Sequence, residues 1–189
     1  MTDALFAPLF DAVRRELETH GHLALAIDGD AAAGKTTLAA RLCELFPAAC
    51  VHMDDFFLPP ELRTPERLAE PGGNVHRERF AGEVLSHLGG GAFSYRRFDC
   101  SQMHLAGAVE VPDAPLLIVE GSYSMLPQFR DSYGLSVFLA TDLDTQLRRI
   151  AARGGADKLE AFRTRWIPME KAYHDAFGVR SACRFAFDT

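Results

Sequence analysis

The stretch Gly29-Asp30-Ala31-Ala32-Ala33-Gly34-Lys35-Thr36 fits the pattern G-x-x-x-x-G-K-[ST] at every fixed position. The glycines at its two ends let the backbone turn tightly and bring its N–H groups onto phosphate oxygens. The lysine reaches toward the β- and γ-phosphates, and the threonine offers a hydroxyl to Mg²⁺. The stretch therefore predicts a phosphate-binding loop for a nucleoside triphosphate, and Thr37, next in the chain, joins the predicted nucleotide-binding residues.

Short apolar runs on both sides of this loop are typical of buried strands. They lie at residues 23–28 (LALAID), 50–53 (CVHM), 116–120 (LLIVE) and 136–140 (SVFLA), with a further edge strand expected at 183–187. Helical patterns follow at 35–46, 77–88, 144–153 and 157–177. Apolar strands separated by helices indicate a parallel sheet covered on both faces. We therefore predict an α/β, three-layer P-loop NTPase fold with a mainly parallel sheet.

The length and organisation of the chain predict a single domain. With 189 residues it can bury a full core, and no linker divides it. Prolines and glycines mark 59–74 as a loop, and 89–112 is a second departure from the sheet. We expect one domain over 1–189, with the phosphate loop at 29–36 and a substrate-side excursion at about 57–112.

Charge and cysteine usage restrict the class of partner. The net charge is −6, which argues against nucleic acid or an anionic membrane as the main partner. The four cysteines form no C-x-x-C pair, so free thiols in a reducing cytosol are expected. The sequence contains no run of ~18 apolar residues, which is the length that a membrane-crossing helix needs. We expect a cytoplasmic protein with a small-molecule partner and no nucleic-acid or membrane partner, and leave a homo-oligomer open.

Acidic residues follow two of the predicted strands. Glu120 ends the run LLIVE, at the edge of the sheet where the phosphate loop lies, and suits a metal-holding group. Asp54 and Asp55 follow CVHM and reach the same edge. One of this pair is a natural base for a substrate hydroxyl or a contact to Mg²⁺, and the other suits a cap of the next turn.

Several ordered pieces together resemble the uridine kinase-like branch of P-loop kinases, which includes nicotinamide riboside and pantothenate kinases. They are the phosphate loop, 53–57 (MDDFF), 98–99 (FD), 118–121 (IVEG) and 147–149 (LRR). The piece that begins at Asp54 is the more specific to this branch, and 165–168 (RWIP) looks like a segment of its small bacterial members. The resemblance covers most of the chain, from about Leu23 to the end.

The resemblance implies a role for each matching position around the phosphates. Asp54 matches the catalytic aspartate, which takes the proton of a 5′-hydroxyl and contacts Mg²⁺, while Asp55 is left to cap the following turn. Thr36 and Glu120 match the other metal contacts, and Lys35 completes the predicted catalytic chemistry.

The resemblance also implies a lid that closes over the phosphates. Arg148, Arg149 and Arg153 match the lid arginines, of which Arg149 is counted as catalytic and the other two as nucleotide-binding. The implied lid spans about 148–165, and Gly154 and Gly155 can serve as its hinge.

On the substrate side, Phe57 stands where the family often has a tyrosine beside the acceptor. His76 stands where the family has an acid that holds the ribose hydroxyls, and a histidine cannot accept through two oxygens. Phe98 and His104 fall near the base-binding aromatic and histidine of the family.

Three functions follow from these observations. The first is an ATP- and Mg²⁺-dependent transfer of the γ-phosphate to the 5′-hydroxyl of a nucleoside such as uridine or cytidine. The second keeps this chemistry with a non-nucleoside acceptor such as pantothenate, a riboside or a sugar. The third is a P-loop ATPase or nucleotide-dependent switch that acts on a partner, and the arginines at 148–153 favour a kinase over it.

Overall fold

The apolar runs become the strands of a central sheet in the computed structural model, which describes residues 3–189. In chain order the strands are β1 (Leu23–Gly29), β2 (Ala48–His52), β3 (Phe93–Asp99), β4 (His104–Val111), β5 (Leu116–Glu120), β6 (Leu135–Ala140) and β7 (Phe185–Asp188). Five of them form one sheet in the order β2-β5-β1-β6-β7, and every neighbouring pair is parallel. The predicted parallel sheet is confirmed, including the strand β7 at its edge.

Helices fill the connections between these strands. They are α1 (Asp3–His20), α2 (Lys35–Leu45), α3 (Pro65–Ala69), α4 (Arg77–Glu83), α5 (Pro127–Arg130), α6 (Leu143–Ala161), α7 (Ile167–Phe177) and α8 (Val179–Ala182). Short 3₁₀ segments lie at Met53–Phe56, Pro60–Leu62 and Leu85–His87, and a π-helical turn at Phe162–Trp166 joins α6 to α7. No helix of the described residues is both long and apolar enough to cross a membrane.

The side chains of β1 divide the core into two layers because successive residues of a strand point to opposite faces. Leu25 and Ile27 pack with the apolar faces of α1 and α2. Ala24 and Ala26 belong to the other cluster, which includes residues of α4, α5 and α7. The expected three-layer fold is thus confirmed, with the carboxyl ends of its parallel strands at one edge.

The strands β3 and β4 form a separate antiparallel hairpin, which the sequence did not predict. Only one side of β3 is buried, through Phe93, Tyr95 and Phe98, and the exposed pair Arg96 and Arg97 interrupts its alternation at a register shift. Most of β4 is exposed or half-buried. Such strands lack the continuous apolar signal that identifies the strands of the central sheet.

The C-terminal helices depart from the prediction in one detail. The expected break between two helices falls at Gly155, whose backbone is not helical (φ 73°, ψ −171°). The expected helix over 157–177 is interrupted by the π-helical turn at Phe162–Trp166. The turn connects α6 to α7, and its residues Phe162, Arg165 and Trp166 line the site described below.

Candidate active site

The phosphate loop connects β1 to α2 and depends on two glycines. A Cβ atom on Gly29 would lie 2.1 Å from the carbonyl oxygen of Leu139, so no other residue fits between β1 and β6. Gly34 adopts a left-handed conformation (φ 99°) immediately before α2 begins. That conformation disfavours residues with a Cβ atom. The structure thus explains why the motif requires glycine at both fixed positions.

Basic side chains close over this loop. The Nζ atom of Lys35 donates to the carbonyl oxygens of Gly29 and Asp30, at 2.7 and 2.9 Å. The guanidinium of Arg149, on α6, donates to the carbonyl oxygen of Ala32 at 3.0 Å. Positive charge and the N-terminal end of α2 therefore meet at one place, which is what an anionic phosphate requires.

A buried carboxylate that the sequence analysis did not select anchors the loop from below. Asp28 is fully buried and accepts hydrogen bonds from the backbone N–H groups of Gly29 (2.7 Å) and Met125 (3.0 Å) and the hydroxyl of Tyr173 (2.8 Å). Burial alone would raise the pKa of Asp28, but the close approach of His174 and the Met125 N–H outweigh it, so the pKa is lowered. The loop is thereby tied to α7.

A cavity of about 430 Å³ opens beside the loop. Its walls include most of the residues predicted to hold nucleotide and metal, namely Ala31, Ala32, Gly34, Lys35, Thr36, Thr37, Asp54, Glu120 and Arg153. Gly29, Asp30 and Ala33 lie behind this surface: Asp30 instead accepts from the N–H of Thr141 at 3.0 Å.

Oxygen atoms suited to a hard cation gather at one corner of the cavity. The hydroxyl of Thr36 donates to Oε1 of Glu120 at 3.2 Å, and Nδ1 of His52 lies 2.6 Å from the same oxygen. The hydrogen bond to Glu120 raises the pKa of His52. Within residues 3–189 no group of three or more acidic, histidine or cysteine side chains forms a metal-holding cluster. One hydroxyl with two carboxylates, counting Asp54, fits Mg²⁺, which usually keeps waters and takes phosphate oxygens as further ligands.

The two neighbouring aspartates point to different places because a 3₁₀ turn (Met53–Phe56) follows β2. Asp54 lines the cavity, whereas the carboxylate of Asp55 is buried and accepts from the hydroxyl of Tyr95 at 2.7 Å. The prediction that Asp55 caps the following turn was therefore wrong, since its side chain binds the hairpin instead.

Both aspartates hold their protons more tightly than usual. The carboxyl group of Asp54 is open to the cavity yet lies among many protein atoms, and this desolvation raises its pKa. The negative charges of Glu120 and Asp55 act in the same direction, and Lys35 acts against them. Burial likewise raises the pKa of Asp55, despite the hydrogen bond from Tyr95. A carboxyl group with a raised pKa suits an acceptor of protons.

Of the four predicted substrate residues, Phe57 alone lines the cavity, where its ring stacks on Trp166 with centroids 6.2 Å apart. Phe98 is buried within the hairpin. His104 is exposed. Its Nε2 atom lies 2.8 Å from Oε1 of Gln102, and its Nδ1 atom lies 3.0 Å from the carbonyl oxygen of Leu105.

His76 also lies outside the cavity lining. It caps α4, with its Nδ1 atom accepting from the N–H of Arg79 at 3.3 Å. The same nitrogen lies 3.3 Å from the carboxylate of Glu78. Because the Nδ1 atom of His76 already accepts from the helix, this atom is not free to accept from a ribose hydroxyl in this structure.

The three predicted lid arginines take three different positions on α6. Arg153 lines the cavity, Arg149 contacts the phosphate loop, and Arg148 donates to Oγ1 of Thr145 at 3.3 Å on the exposed side. Lys158, beyond the break at Gly155, also lines the cavity. Three cations of this segment thus contact the phosphate loop or line the cavity beside it, and Arg148 does neither.

The polar cavity residues that the sequence did not indicate include Arg63, Asn74, Tyr123 and Glu170. Glu170, on α7, accepts from the hydroxyl of Ser122 at 2.9 Å, and burial raises its pKa although Lys35 acts against it. None belongs to a motif with a fixed spacing, and each comes from a different segment. A single sequence therefore carried no signal that these side chains converge.

Comparison with known proteins agrees with this architecture. A structure from Bacillus stearothermophilus described as a possible uridine kinase aligns over 96% of this chain and 100% of its own, with a TM-score of 0.68 and 18% identity. The YFH7 protein of Saccharomyces cerevisiae, provisionally described as a P-loop kinase with a circular permutation, aligns over 97% and 99% with a TM-score of 0.72 and 12% identity.

A third structure, D-glycerate 3-kinase from Cryptococcus neoformans, covers 91% of this chain and 89% of its own, with a TM-score of 0.59 and 14% identity. No protein-family model matches the chain, and a search of curated proteins gave no match. At these identities the likeness establishes the fold alone: this chain shares the architecture of these structures over most of its length, in agreement with the predicted fold class.

Proposed function

We propose that this protein is an ATP- and Mg²⁺-dependent phosphotransferase that moves the γ-phosphate of ATP to a hydroxyl group of a small molecule. One observation carries the proposal: a single cavity joins the phosphate loop at Lys35 to the carboxyl group of Asp54 and extends beyond it to Phe57 and Trp166. The cavity therefore has room for an acceptor next to the phosphate-binding end. An aspartate between the two is the arrangement that transfer to an alcohol requires.

The residues of the cavity suggest how the transfer proceeds. Asp54 accepts the proton of the acceptor hydroxyl while the hydroxyl oxygen forms a bond to the γ-phosphorus. The bond from the γ-phosphorus to the β–γ bridging oxygen breaks, and its electron pair leaves with ADP. Lys35 and Arg149 stabilise the negative charge on the phosphate oxygens during this exchange.

A divalent cation has a place in this scheme through Thr36, Glu120 and Asp54, as ligands or through water. When bound, Mg²⁺ would neutralise charge on the phosphate oxygens. The segment at about 148–165 serves as a lid in this proposal, since Arg153 and Lys158 lie on either side of the break at Gly155. Closing it would exclude water, which otherwise competes with the acceptor for the phosphoryl group.

The resemblance to nucleoside kinases makes the 5′-hydroxyl of uridine or cytidine the first acceptor to test, with pantothenate, ribosides and sugars as alternatives. An ATPase or switch that acts on a partner protein is the alternative of another class. The enclosed wall formed by Phe57 and Trp166 favours a small acceptor over a partner surface.

The variant Lys35→Ala tests the assignment of the phosphate loop. We expect a loss of roughly 10²–10³-fold in kcat, because the variant lacks a charge that stabilises the transferred phosphoryl group. The measurement is ATP consumption with a panel of acceptors, with and without Mg²⁺. Lys171→Ala is the matched control, since Lys171 is exposed and pairs only with Asp175. Near-normal turnover by Lys35→Ala would contradict the proposal.

A further inference from the structure

Two arginines on the acceptor side of the cavity have no acidic partner in the part of the chain that the structure describes. Arg63 donates from Nε to the carbonyl oxygen of Leu58 at 2.8 Å, and the guanidinium of Arg165 lies 4.5 Å from the ring centroid of Trp166. Within residues 3–189 neither takes part in an ion pair. Both line the cavity, so their positive charges face a space that a ligand can enter.

These two cations line the same cavity, with Arg63 half-buried and Arg165 exposed. Burial, and next the positive charge of Arg165, lower the pKa of Arg63. Two like charges on one cavity repel each other, and an anion bound between them would relieve that repulsion. Paired guanidinium groups are also the side chains that best match a carboxylate or phosphate, because they present several N–H donors in a plane.

A buried amide faces the same space. Asn74 is 5% exposed and lines the cavity, yet neither its Oδ1 nor its Nδ2 atom has a hydrogen-bond partner among residues 3–189. The amide also acts on the hydroxyl of Tyr123: burial raises the pKa of that hydroxyl, and the amide of Asn74 opposes the rise. A buried polar group without a partner costs free energy, so its position here points to a ligand that supplies the partner.

The backbone holds this amide in place. The N–H of Leu58 donates to the carbonyl oxygen of Asn74 at 2.9 Å. The guanidinium of Arg67 donates to the carbonyl oxygens of Gly73 and Val75 on either side, each at 3.1 Å. The amide of Asn74 is therefore presented by a fixed loop, as a preorganised binding group would be.

The cations of the cavity divide between the two substrates by their position. Lys35 lies at the phosphate loop, which Arg149 of α6 contacts, and Arg153 and Lys158 of the same helix line the cavity. Arg63 instead follows Phe57 and Leu58 in the substrate-side excursion. Apart from Asp54, the cavity carboxylates are Glu120 and Glu170, which contact residues of the phosphate side. The acceptor wall, formed by Phe57, Arg63, Asn74, Arg165 and Trp166, thus carries two positive charges, and among the described residues Asp54 is the one acid left to face it.

We infer that the acceptor is an alcohol that carries a carboxylate or phosphate group, bound by Arg63 and Arg165 with the amide of Asn74, while its hydroxyl reaches Asp54. This inference rests on the proposed function and narrows it to anionic acceptors. It disfavours a neutral nucleoside, which would leave both guanidinium groups unpaired.

Matched pairs of acceptors test the inference directly. Suitable pairs are D-glycerate with glycerol, pantothenate with pantothenol, glucose 6-phosphate with glucose, and uridine monophosphate with uridine. We expect at least one anionic member to give a kcat/KM ten-fold or more above its neutral partner. The carboxylate and phosphate pairs together show which anion the site takes.

Two variants tie that preference to these residues. Arg63→Gln should raise KM for the anionic acceptor by roughly 10–100-fold and leave KM for ATP within about two-fold, because a charge-assisted contact is lost only on the acceptor side. Arg96→Gln is the control: it removes the same charge from the exposed side of β3. Asn74→Asp should also raise KM for an anion, whereas it would lower KM for a neutral diol.

Each outcome decides between the two levels of the proposal. If neutral alcohols are phosphorylated as well as or better than anionic ones, the anionic acceptor is wrong and the kinase stands. Equal effects of Arg63→Gln and Arg96→Gln, or a lower KM in Asn74→Asp, would also overturn the inference. If no alcohol of either kind is phosphorylated, the proposed kinase function fails with it.

Discussion

The two halves of the cavity differ in how their polar groups are satisfied. On the phosphate side, Asp28 receives several hydrogen bonds and Lys35 bonds to the loop beneath it. On the acceptor side, the amide of Asn74 has no partner among the described residues, and Arg63 has no counter-ion there. The polar groups of the phosphate side are therefore satisfied within the fold, whereas on our proposal those of the acceptor side are satisfied by the ligand.

The sharpest test of this division compares Asp54 with Asp55. Asp54 faces the cavity and Asp55 is bonded to Tyr95, so only the first can take a proton from an acceptor. Asp54→Asn should lower kcat by ~10²–10⁴-fold while ATP still binds. Asp55→Asn should lower kcat by less than about ten-fold, since an asparagine oxygen can still accept from the tyrosine hydroxyl.

Steady-state kinetics with an accepted alcohol, together with ATP binding by calorimetry, separate these effects. The two substitutions are adjacent and isosteric, so that general damage to the fold would affect both. A larger loss of kcat in Asp55→Asn would show that the base has been assigned to the wrong residue.

A test of the phosphate side concerns stability rather than turnover. Asp28→Asn should lower the free energy of unfolding by about 2–4 kcal/mol, because an amide group cannot accept from Gly29, Met125 and Tyr173 at once. Chemical denaturation measures the change. Asp131→Asn, at an exposed position, should stay within about 0.5 kcal/mol. Equal stability of the two variants would mean that the phosphate side is not built on Asp28.

The smallest effect is expected from Glu170, whose pKa is raised mainly by burial. A carboxyl group with a higher pKa in the folded state binds more protons there, so stability falls as pH rises from the ordinary glutamate pKa, ~4.3, through the raised value. Glu170→Gln removes this loss. The variant should therefore match the wild type near pH 4 and have the larger free energy of unfolding at pH 7.

Thermal unfolding from pH 4 to pH 8 measures this difference, for which Glu160→Gln, on the exposed part of α6, is a suitable comparison. A gap that widens toward low pH would have the wrong sign and would contradict the assigned shift.

Different physical signals explain how far the sequence could be interpreted. The central strands are buried on both faces, and the phosphate loop is contiguous, so local patterns were sufficient for the sheet and for Gly29 and Gly34. The hairpin β3–β4 is half-exposed and gave no such pattern. The acceptor wall combines Arg63, Asn74 and residues near the end of the chain, which only tertiary packing brings together. The role expected for His76 was likewise overridden locally, by its use as a helix cap.

The helical stretch from α6 through the π-helical turn to α7 touches both ends of the cavity. Arg149 lies at the phosphate loop, Arg165 at the acceptor wall, and Tyr173 at the carboxylate below the loop. If nucleotide binding shifts this stretch, the affinity for the acceptor changes with it. Thermodynamic linkage then requires reciprocity: if ATP changes the affinity for the acceptor by some factor, the acceptor changes the affinity for ATP by the same factor. Any synergy between the two substrates would then depend on this one stretch of the chain.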